Sequence, residues 1–464
     1  MHAATCSARL GPSVSLTNLG CKRGLPHHRG GSARLLPRQG RIKGRNTKCS
    51  MSRGGDDAEV DVAVIGGGPG GLAAAFALIA KGLTVRVYER SKAVQQVGAL
   101  LSLFPNGLEA LHKIDPTTYE AVLGKAEPPS SSVRMDPRGT LLGPPGPHPF
   151  SAMEGKYGHP FVNIIWYELT DVLRSRLPPG TVHLGHRCVG FEDAGAHVAV
   201  EFENQATVKA RMVIGADGVR SVVRSMLLSD GPPTYTGIMS WRGVFDSDAD
   251  ILTPSRQASV TSGTDKGGPD KLFLAVDIQA RKTAWVAFVL QAEDPSETPK
   301  LSDGAAHLDR VRSLFSDWEA PLLHRVLDAT DSARVLPLGI FERSPADTWS
   351  GGRVTLVGDA AHAMQPWLGQ GTNSTFEDVH TLAELLAAAG GPKVLGDRSA
   401  VVSVLKEYES RRIPRTKTLQ SWSQSTVLRP LDQPPPPRAT QFMRSAEEDD
   451  WMYTYDHAVL TSLA

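Results

Sequence analysis

The order of apolar and polar residues in 61–90 predicts a strand, a helix and a second strand in succession. A short run rich in Val and Ile leads to Gly66, and helix-forming residues follow over 72–81. Gly82 can end this helix in the left-handed conformation, and a second strand is predicted over 84–88, ending at Glu89. This pattern is typical of a βαβ unit with two parallel strands.

The hydrophobic pattern predicts further elements before residue 215. Residues 124–160 are rich in Pro and Gly and are expected to be irregular. The other predicted elements are a strand and then a helix starting near Pro105 in 97–111, a helix over 164–177, and strands at 181–190, 197–203 and 208–214.

Alternating strands predict a second, sheet-based domain over residues 235–342, a stretch that has no nucleotide-binding motif. Its predicted elements are strands 238–245, 271–277 and 283–290 and an amphipathic helix over 306–315. A short buried strand at 354–357 and a helix over 374–389 are expected to return to the first domain. The prolines of 434–437 predict a stiff linker before a C-terminal segment.

The charged residues are distributed unevenly along the 464-residue chain. Residues 1–53 contain 11 Lys and Arg and no Asp or Glu, and the remainder carries 39 basic and 49 acidic residues. An acidic body argues against nucleic-acid binding. No apolar run approaches the roughly 20 residues of a membrane span, which leaves only peripheral membrane contact open. The sequence does not specify the oligomeric state.

The basic leader, 1–53, resembles an organelle transit peptide, because it is rich in Arg, Ser, Gly and Pro and lacks acids. A disordered basic tail is the alternative. A plastid is the expected compartment, with the mitochondrion second. Cleavage near residues 49–53 would leave Cys188 as the only cysteine, which excludes a disulfide framework.

The motif Gly66-x-Gly68-x-x-Gly71 lies between the first strand and the first helix, where dinucleotides bind in βαβ units. Gly66 allows the tight turn, Gly68 lets a pyrophosphate approach the backbone, and Gly71 lets the helix pack on the strand. The helix N-terminus attracts phosphate, and Glu89 can bond both ribose hydroxyls. A purely structural glycine-rich turn is the alternative.

Two later segments carry acids and glycines at strand ends. Residues 214–221 place Asp217 after an apolar strand, where it either faces the dinucleotide or caps a surface turn. Residues 357–373 place Asp359 after a buried strand, and Gly369-Gln370-Gly371 opens the next helix. The positive end of that helix would stabilise an anionic reduced flavin. A generic anion-binding loop is an equal interpretation.

In order and spacing, these segments resemble the single-component FAD-dependent monooxygenases of the para-hydroxybenzoate hydroxylase superfamily. The resemblance covers residues 60–425. Three further pieces are similar to its salicylate hydroxylase and zeaxanthin epoxidase branch. They are Val97-Gly98-Ala99 leading to Pro105-Asn106-Gly107-Leu108, Tyr235-x-Gly237-x3-Trp241-Arg242-Gly243, and Trp451-Met452-Tyr453-x-Tyr455-Asp456.

The resemblance implies an α/β fold. A Rossmann-like FAD-binding domain of the glutathione-reductase type is expected to carry an inserted mixed β-sheet substrate domain. The expected segments are a transit peptide or disordered leader (1–53), the first part of the FAD domain (58–230), the substrate domain (231–345), the second part of the FAD domain (346–428), and a linker with a C-terminal segment (429–464).

The resemblance also implies roles for individual residues around FAD. The three glycines would contact the pyrophosphate, Glu89 the adenosine ribose, and the backbone at Val189 the adenine. Asp359 would hold the ribityl chain. The expected FAD-binding residues are Gly66, Gly68, Gly71, Glu89, Arg90, Val189, Asp217, Asp359, Pro366, Gly369, Gln370, Gly371 and Asn373.

One position departs from the family pattern. The family usually has an FAD-binding Arg three residues before the Leu that matches Leu169, and this chain has Trp166 there. The phosphate charge would then be neutralised by another residue such as Arg90, or FAD would be held more loosely.

Other candidate residues have a structural and a functional interpretation. His362 is expected to be packed or capping, and Cys188 is expected in the core. Trp241 and Arg242 either reach the substrate cavity or pack, and Tyr157 and His159 are lid candidates. No spacing of His, Cys and Asp suggests a metal site, and no catalytic residue is assigned.

The family mechanism implied by the resemblance uses NAD(P)H to reduce the flavin and O2 to form a flavin C4a-hydroperoxide. Only one GxGxxG is present, so NAD(P)H has no Rossmann domain of its own. Hydroxylation of an aromatic or other cyclic small molecule is the leading expectation. Epoxidation of a carotenoid-like alkene, a flavin-dependent isoprenoid reductase and a flavoprotein without turnover are the alternatives.

Overall fold

The computed structural model describes residues 59–94, 100–204, 206–246, 251–252, 256–261, 270–279, 281–291, 303–424, 428 and 444–455. The basic leader, residues 97–99, the proline linker 434–437 and Asp456 lie outside these described residues.

The described strands run in chain order as follows: β1 Val60–Ile65, β2 Val85–Glu89, β3 Leu100–Leu103, β4 Ser131–Met135, β5 Gly146–Pro147, β6 Val162–Ile165, β7 Val182–Leu184, β8 Cys188–Asp193, β9 Val198–Phe202, β10 Thr207–Gly215, β11 Thr234–Asp246, β12 Gln257–Thr261, β13 Lys271–Ile278, β14 Lys282–Leu290, β15 Leu336–Glu342, β16 Ser350–Gly351 and β17 Val354–Leu356.

The described α-helices are α1 Pro69–Ala80, α2 Pro105–Ile114, α3 Pro116–Leu123, α4 Met153–Tyr157, α5 Trp166–Ser175, α6 Val222–Leu228, α7 Gly304–Leu314, α8 Pro321–Ala329, α9 Asp359–His362, α10 Gly371–Ala388, α11 Arg398–Ser423 and α12 Ala446–Tyr453. Short 3-10 helices lie at Ser332–Arg334, Pro366–Leu368 and Gly391–Gly396.

The first sheet has the order β16-β17-β10-β1-β2-β7, with β9 beside β10 and β8 beside β9. Strands β17, β10, β1, β2 and β7 are parallel, as the βαβ pattern predicts. The apolar runs of β1, β10 and β17 are buried on both faces, as in sheets covered by helices on each side, whereas β7 at the edge is partly exposed. Ile65 pairs with Gly215 and with Tyr88, so the strands end level with one another.

The second sheet has seven strands in the order β15-β11-β14-β13-β12-β4-β5. Its pairs are antiparallel except for β12 with β4, so the sheet is mixed, as expected. One face packs on α7 and α8 through Trp241, Phe273 and Trp285. Alternation along the strands therefore directs the other face away from these helices.

That other face carries a separate apolar cluster, which contains Ile238, Val286 and Phe288. Trp367, from the 3-10 helix Pro366–Leu368, belongs to the same cluster and packs on Phe288 with ring centroids 5.0 Å apart. The free face of the second sheet thus lies against the segment between β17 and α10.

Most predicted elements of the parallel unit and of the second sheet are present, but two regions differ. The segment 124–160, predicted as irregular, contains β4, β5 and α4, and β4 joins the second sheet. The predicted strand 181–190 is divided by a turn at Gly185, which has a φ of +72°. Tertiary pairing decides both cases, because neither segment has a regular pattern of its own.

Helices α8 and α11 were not predicted. Pro414 lies inside α11 and disfavours a helix locally. Arg412 and Arg415 nevertheless anchor this helix by buried ion pairs to α10. Tertiary contacts therefore outweigh the local preference against a helix.

Candidate functional site

Four parallel strands of the first sheet end at one edge and are followed by the acids and glycines identified in the sequence. Gly66 follows β1, Glu89 ends β2, Asp217 follows β10 and Asp359 follows β17. Ligands of open α/β sheets bind at the carboxyl ends of the strands. The fold therefore brings together residues that are almost 300 positions apart in the chain.

The turn after β1 leaves no room for side chains at two positions. A Cβ at Gly66, which has a φ of +112°, would lie 2.3 Å from the carbonyl oxygen of Ala216. A Cβ at Gly71 would lie 1.9 Å from the carbonyl oxygen of Gly66. By contrast, a Cβ at Gly68 would meet nothing within 4 Å. The backbone at Gly68 is thus open to a ligand at the start of α1.

The carboxylate of Glu89 is held by two backbone groups beside this turn. Gly67 donates its N–H to one oxygen and Ser91 donates its N–H to the other, both at 2.8 Å. A carboxylate has about four acceptor positions. Glu89 can therefore also accept hydrogen bonds from a bound polyol.

A cavity of about 350 Å³ extends from the glycine turn along Glu89. Gly66, Gly68, Glu89, Arg90 and Asp217 line it, as expected from the sequence. Other lining residues that the sequence did not single out for this cavity are Thr170, Arg174, Leu184, His186 and Arg187. Trp166 lines the cavity as well.

Two of the expected residues do not line this cavity. Gly71 is buried in α1, and its role is the close packing described above. The side chain of Val189 is 50% exposed, and its neighbours Arg187 and Cys188 line the cavity instead. Cys188 is buried, as expected, and burial raises the pKa of its thiol to about 11.

The Asp217 carboxylate caps α6. It accepts hydrogen bonds from the Ser221 hydroxyl at 2.5 Å and from the N–H groups of Val222 and Val223 at 2.7 and 3.3 Å. Burial raises the pKa of Asp217, although these hydrogen bonds act in the opposite direction. Its carboxylate thus fixes the segment that follows β10.

The segment after β17 lies at the same edge of the first sheet. Gly358 has a φ of +63°, and Asp359 begins α9 directly after it. The Asp359 side chain is exposed, yet the protein crowded around it raises its pKa, an effect that His362 partly opposes. A Cβ added at Gly371 would lie 3.8 Å from an Asp359 carboxylate oxygen. Asp359 therefore faces the start of α10.

The starts of α1 and α10 meet although they lie 302 residues apart. A Cβ at Gly70 would be 2.7 Å from Cγ2 of Thr375. The first N–H groups of each helix have no acceptor within the helix, and each N-terminus carries about half a positive charge. Two positive helix ends thus converge beside Asp359.

The side chains of Gln370 and Asn373 are buried and committed to the protein. Asn106 donates to Gln370 Oε1 at 2.9 Å. Asn373 accepts from the Phe104 N–H at 2.9 Å and donates to the carbonyl oxygens of Ser102 and Gly369. These residues can therefore reach a ligand through the backbone, while their side chains tie α10 to α2.

A buried ionic network supports the start of α10. Arg412 contacts Glu377 at 2.7 Å and Asp378 at 2.8 Å, and Arg415 contacts Glu377 at 2.8 Å. His362 Nε2 lies 2.6 Å from Asp378 Oδ2, and both side chains are fully buried. His362 is thus a packed residue, and the network holds α9, α10 and α11 together.

The remaining candidates lie on the second sheet and on the excursion. Trp241 is buried against α7 and α8, whereas Arg242 lies on the opposite face of β11. Tyr157 bonds Asp450 of α12, and His159 Nε2 lies 2.5 Å from Glu109. Among the described residues, no three His, Cys, Asp or Glu side chains are grouped to hold a metal ion. No helix in the described ranges is long and apolar enough to span a bilayer.

Comparison with known proteins identifies the family. The model of the FAD binding domain family matches residues 164–423, which is more than half of the chain. The chain is also 32% identical over 372 residues to the 3-amino-4-hydroxybenzoate 2-monooxygenase of Streptomyces cremeus, covering 78% of this chain and 85% of that protein. This chain is an FAD-dependent monooxygenase of the para-hydroxybenzoate hydroxylase superfamily.

Two further comparisons extend the likeness of this monooxygenase. The chloroplastic zeaxanthin epoxidase of Solanum lycopersicum is 30% identical over 80% of this chain, which corresponds to 54% of that protein. The crystal structure of CtdE in complex with FAD and its substrate superposes with a TM-score of 0.70 at 19% identity, covering 87% of this chain and 97% of that one. The latter supports the fold.

The residues of the monooxygenase fit FAD, the cofactor of its family. The open backbone at Gly68 and the N-terminus of α1 suit a pyrophosphate, and Glu89 beside them suits a ribose. The exposed carboxylate of Asp359 next to the start of α10 suits a polyol chain leading to an anionic ring. When bound, FAD supplies the redox chemistry with O2, and the protein supplies position and a dry environment.

Proposed function

We propose that this monooxygenase hydroxylates a cyclic small molecule that carries an acidic group, with NAD(P)H and O2 as co-substrates. The family supports the reaction, and NAD(P)H use is typical of its members. The observation that carries the substrate class is Arg242 on the free face of the second sheet.

Arg242 lies among apolar side chains. On β11 it pairs in register with Val286 of β14, and its neighbours on the same face are Ser240 and Val244. Ser240 donates to the Leu338 carbonyl, and Val244 belongs to a buried apolar cluster with Ile165. Trp367 packs on this same face. Arg242 therefore lies on the face of the second sheet that packs against the 3-10 helix Pro366–Leu368.

The guanidinium of Arg242 is a half-buried charge in apolar surroundings that a ligand can neutralise. Burial lowers its pKa to about 10, so it stays protonated at neutral pH. In the part of the chain that the structure describes, it makes no ion pair or hydrogen bond. A buried unpaired charge is unfavourable. A carboxylate or phenolate would remove this penalty, whereas an apolar alkene would not.

The proposed position of FAD follows from the residues at the carboxyl ends of the parallel strands. Gly66, Gly68 and Gly71 would form the pyrophosphate turn, and Glu89 would bind the adenosine ribose with Arg90 and the backbone near Val189 beside it. Asp217 would hold the turn after β10, and Asp359 would bind the ribityl chain. Backbone groups of Pro366, Gly369, Gln370, Gly371 and Asn373 would border the isoalloxazine ring.

The domain boundaries and the compartment complete the proposal. We infer an FAD domain formed by 58–230 and 346–428, with the substrate domain 231–345 between its parts and β4 and β5 added to its sheet. The composition of residues 1–53 favours delivery to a plastid, the compartment in the name of the zeaxanthin epoxidase relative.

The test of the substrate class uses pairs of aromatic acids and their neutral amides. Purified FAD-loaded enzyme is given NAD(P)H and ¹⁸O2 with each compound, and products are analysed by mass spectrometry. We expect label in an aromatic acid. Arg242→Gln should raise KM for that acid by roughly tenfold or more, because a charge-assisted hydrogen bond is lost.

The neutral amide is the control, since its weaker turnover should change little in Arg242→Gln. Preferential labelling of neutral cyclic compounds would contradict the acidic substrate. Epoxidation remains the second candidate because of the zeaxanthin epoxidase similarity. Label in a carotenoid-like alkene would establish it instead, and NAD(P)H oxidation without labelled product from any compound would indicate a reductase.

A further inference from the structure

The cavity beside Glu89 is lined by arginines that do not belong to the glycine motif. Its lining includes the cations Arg90, Arg174 and Arg187 and the acids Glu89 and Asp217. The FAD pyrophosphate adds two negative charges. Helix α5 contributes Trp166, Thr170 and Arg174 to the lining, at a spacing of four residues that places them along one side of the helix.

Helix α5 lies against α1, whose first turn follows Gly68. Its first residue is Trp166, an uncharged side chain at the position where an FAD-binding Arg is expected from the family resemblance. Side chains of a helix point toward its N-terminus. The guanidinium of Arg174, near the C-terminal end of α5, is therefore directed back along the helix toward the turn of Thr170 and Asp171.

We propose that Arg174 is a cofactor-binding residue that supplies the FAD phosphates with the positive charge which position 166 does not provide. The inference rests on FAD binding, which the family establishes, and is independent of the substrate proposed above.

The present partner of Arg174 is easily replaced. Arg174 Nη2 contacts Asp171 Oδ1 at 2.6 Å, and the Asp171 side chain is 67% exposed. Exposed ion pairs of this kind contribute little stability. Arg174 itself is half-buried in the cavity wall, where a phosphate would be less screened by solvent than Asp171 is. The pyrophosphate thus competes with Asp171 for the same guanidinium.

Arg187 is a weaker candidate for this role. Its Nε lies 3.5 Å from Glu203, and its side chain is 54% exposed. Arg90 is also exposed and borders the ribose-binding residue Glu89. Arg174 and Arg187 both form an ion pair among the described residues, and the side chain of Arg174 is the less exposed of the two, at 30% against 54%.

The experiment measures the dissociation constant of FAD for the apoprotein by flavin fluorescence quenching. Arg174→Gln should weaken FAD binding by about tenfold or more, and riboflavin, which lacks phosphate, should bind as it does to the unaltered protein. Asp171→Asn should tighten FAD binding about twofold to threefold, because it removes the competing carboxylate. Trp166→Arg should restore FAD affinity in the Arg174→Gln background.

Arg176→Gln is the matched control. Arg176 follows α5 and donates to the Thr117 carbonyl outside the cavity, so its loss should leave FAD affinity unchanged. Equal FAD affinity in Arg174→Gln and Arg176→Gln would overturn the proposal. So would a parallel loss of riboflavin affinity, which would indicate a structural role. If Arg174→Gln fails to fold, the Asp171→Asn variant tests the proposal instead. Unchanged or weaker FAD binding in that variant would refute the competition between Asp171 and the pyrophosphate for Arg174. These dissociation constants are measured without turnover, so a failed hydroxylation assay would not affect them.

Discussion

Asp359 shows how a single residue can be unfavourable for the fold and useful for the cofactor. Its carboxylate is exposed to the site, while the surrounding protein raises its pKa. An Asp with a raised pKa in the folded state favours the unfolded state once the pH exceeds the unfolded value of about 4. The free energy of unfolding therefore falls as the pH rises above about 4, and it stays lower at pH 7.

We accordingly expect Asp359→Asn to raise the Tm of the apoprotein at pH 7 and to weaken FAD binding by about tenfold, since a charged acceptor for the ribityl hydroxyls is lost. Differential scanning calorimetry and FAD titration measure the two effects. Asp347→Asn, at an exposed pair with Lys417, is the control and should change neither. A lower Tm in Asp359→Asn would contradict the argument.

At the scale of the elements, α10 and α11 are joined by charges that only the fold brings together. Burial opposes ionisation of Glu377 and Asp378, but the arginines outweigh it and, with His362 beside Asp378, hold the pKa of both carboxyls below the usual range. Asn106 of α2 also donates to Glu377, at 2.7 Å. The start of α10, which faces the proposed flavin site, therefore depends on α2 and α11.

Removing Arg412 should be far more damaging than removing a surface cation. Arg412→Met leaves two buried carboxylates partly unpaired, and we expect the free energy of unfolding to fall by about 3–5 kcal/mol. Lys417→Met, in an exposed pair, should change it by less than about 1 kcal/mol. Urea denaturation of the apoproteins checks this. Similar losses in the two variants would show that the network contributes little.

The same network predicts a dependence of stability on pH. Because the folded-state pKa values of Glu377 and Asp378 are depressed, their contribution is fully present above the unfolded values of about 4 and is lost as the pH falls below them. Stability measured by urea denaturation between pH 7 and pH 3 should therefore decline below about pH 4.5. The decline should be shallower in Arg412→Met, and an identical decline would count against the assignment.

At the scale of the whole molecule, α12 packs against residues next to the proposed flavin segment. Tyr453 stacks on Phe104 with ring centroids 5.1 Å apart, and Phe104 and Leu368 share one apolar cluster. Arg415 donates to the carbonyl oxygens of Trp451 and Met452, which connects α12 to the ionic network. Helix α12 thus packs beside the 3-10 helix Pro366–Leu368 and is held by Arg415, which also supports α10.

We expect Tyr453→Ala to lower stability by about 3–5 kcal/mol and to reduce the hydroxylated product formed per NAD(P)H oxidised, because water reaches the flavin region. Phe315→Ala is the matched control: it removes an equally buried ring that follows α7 and belongs to a different apolar cluster. Hydrogen peroxide yield at equal fraction folded separates the two effects. Equal coupling in both variants would mean that α12 does not exclude water.

The local pattern predicted the parallel unit and the second sheet because the alternation of apolar and polar residues is clear within each of their elements. It did not predict α11, in which Pro414 weakens the helical signal, or strand β4, which needs a partner distant in sequence. The same limit applies to the candidate site. Motifs located Gly66, Glu89, Asp217 and Asp359, whereas nothing in the pattern connected Arg174 with the cavity.

The sequence by itself determined where the backbone can turn, approach a phosphate and begin a helix. These properties depend on glycines, helix-capping residues and the hydrophobic period, all of which are set within a few residues. The tertiary structure decided which charges meet. Glu377 faces Arg412 and Arg415, whereas Arg242 lies among apolar side chains and has no ion-pair partner among the described residues. Electrostatic free energies depend on distance and burial, which residues far apart in the chain acquire only when the sheets and helices pack.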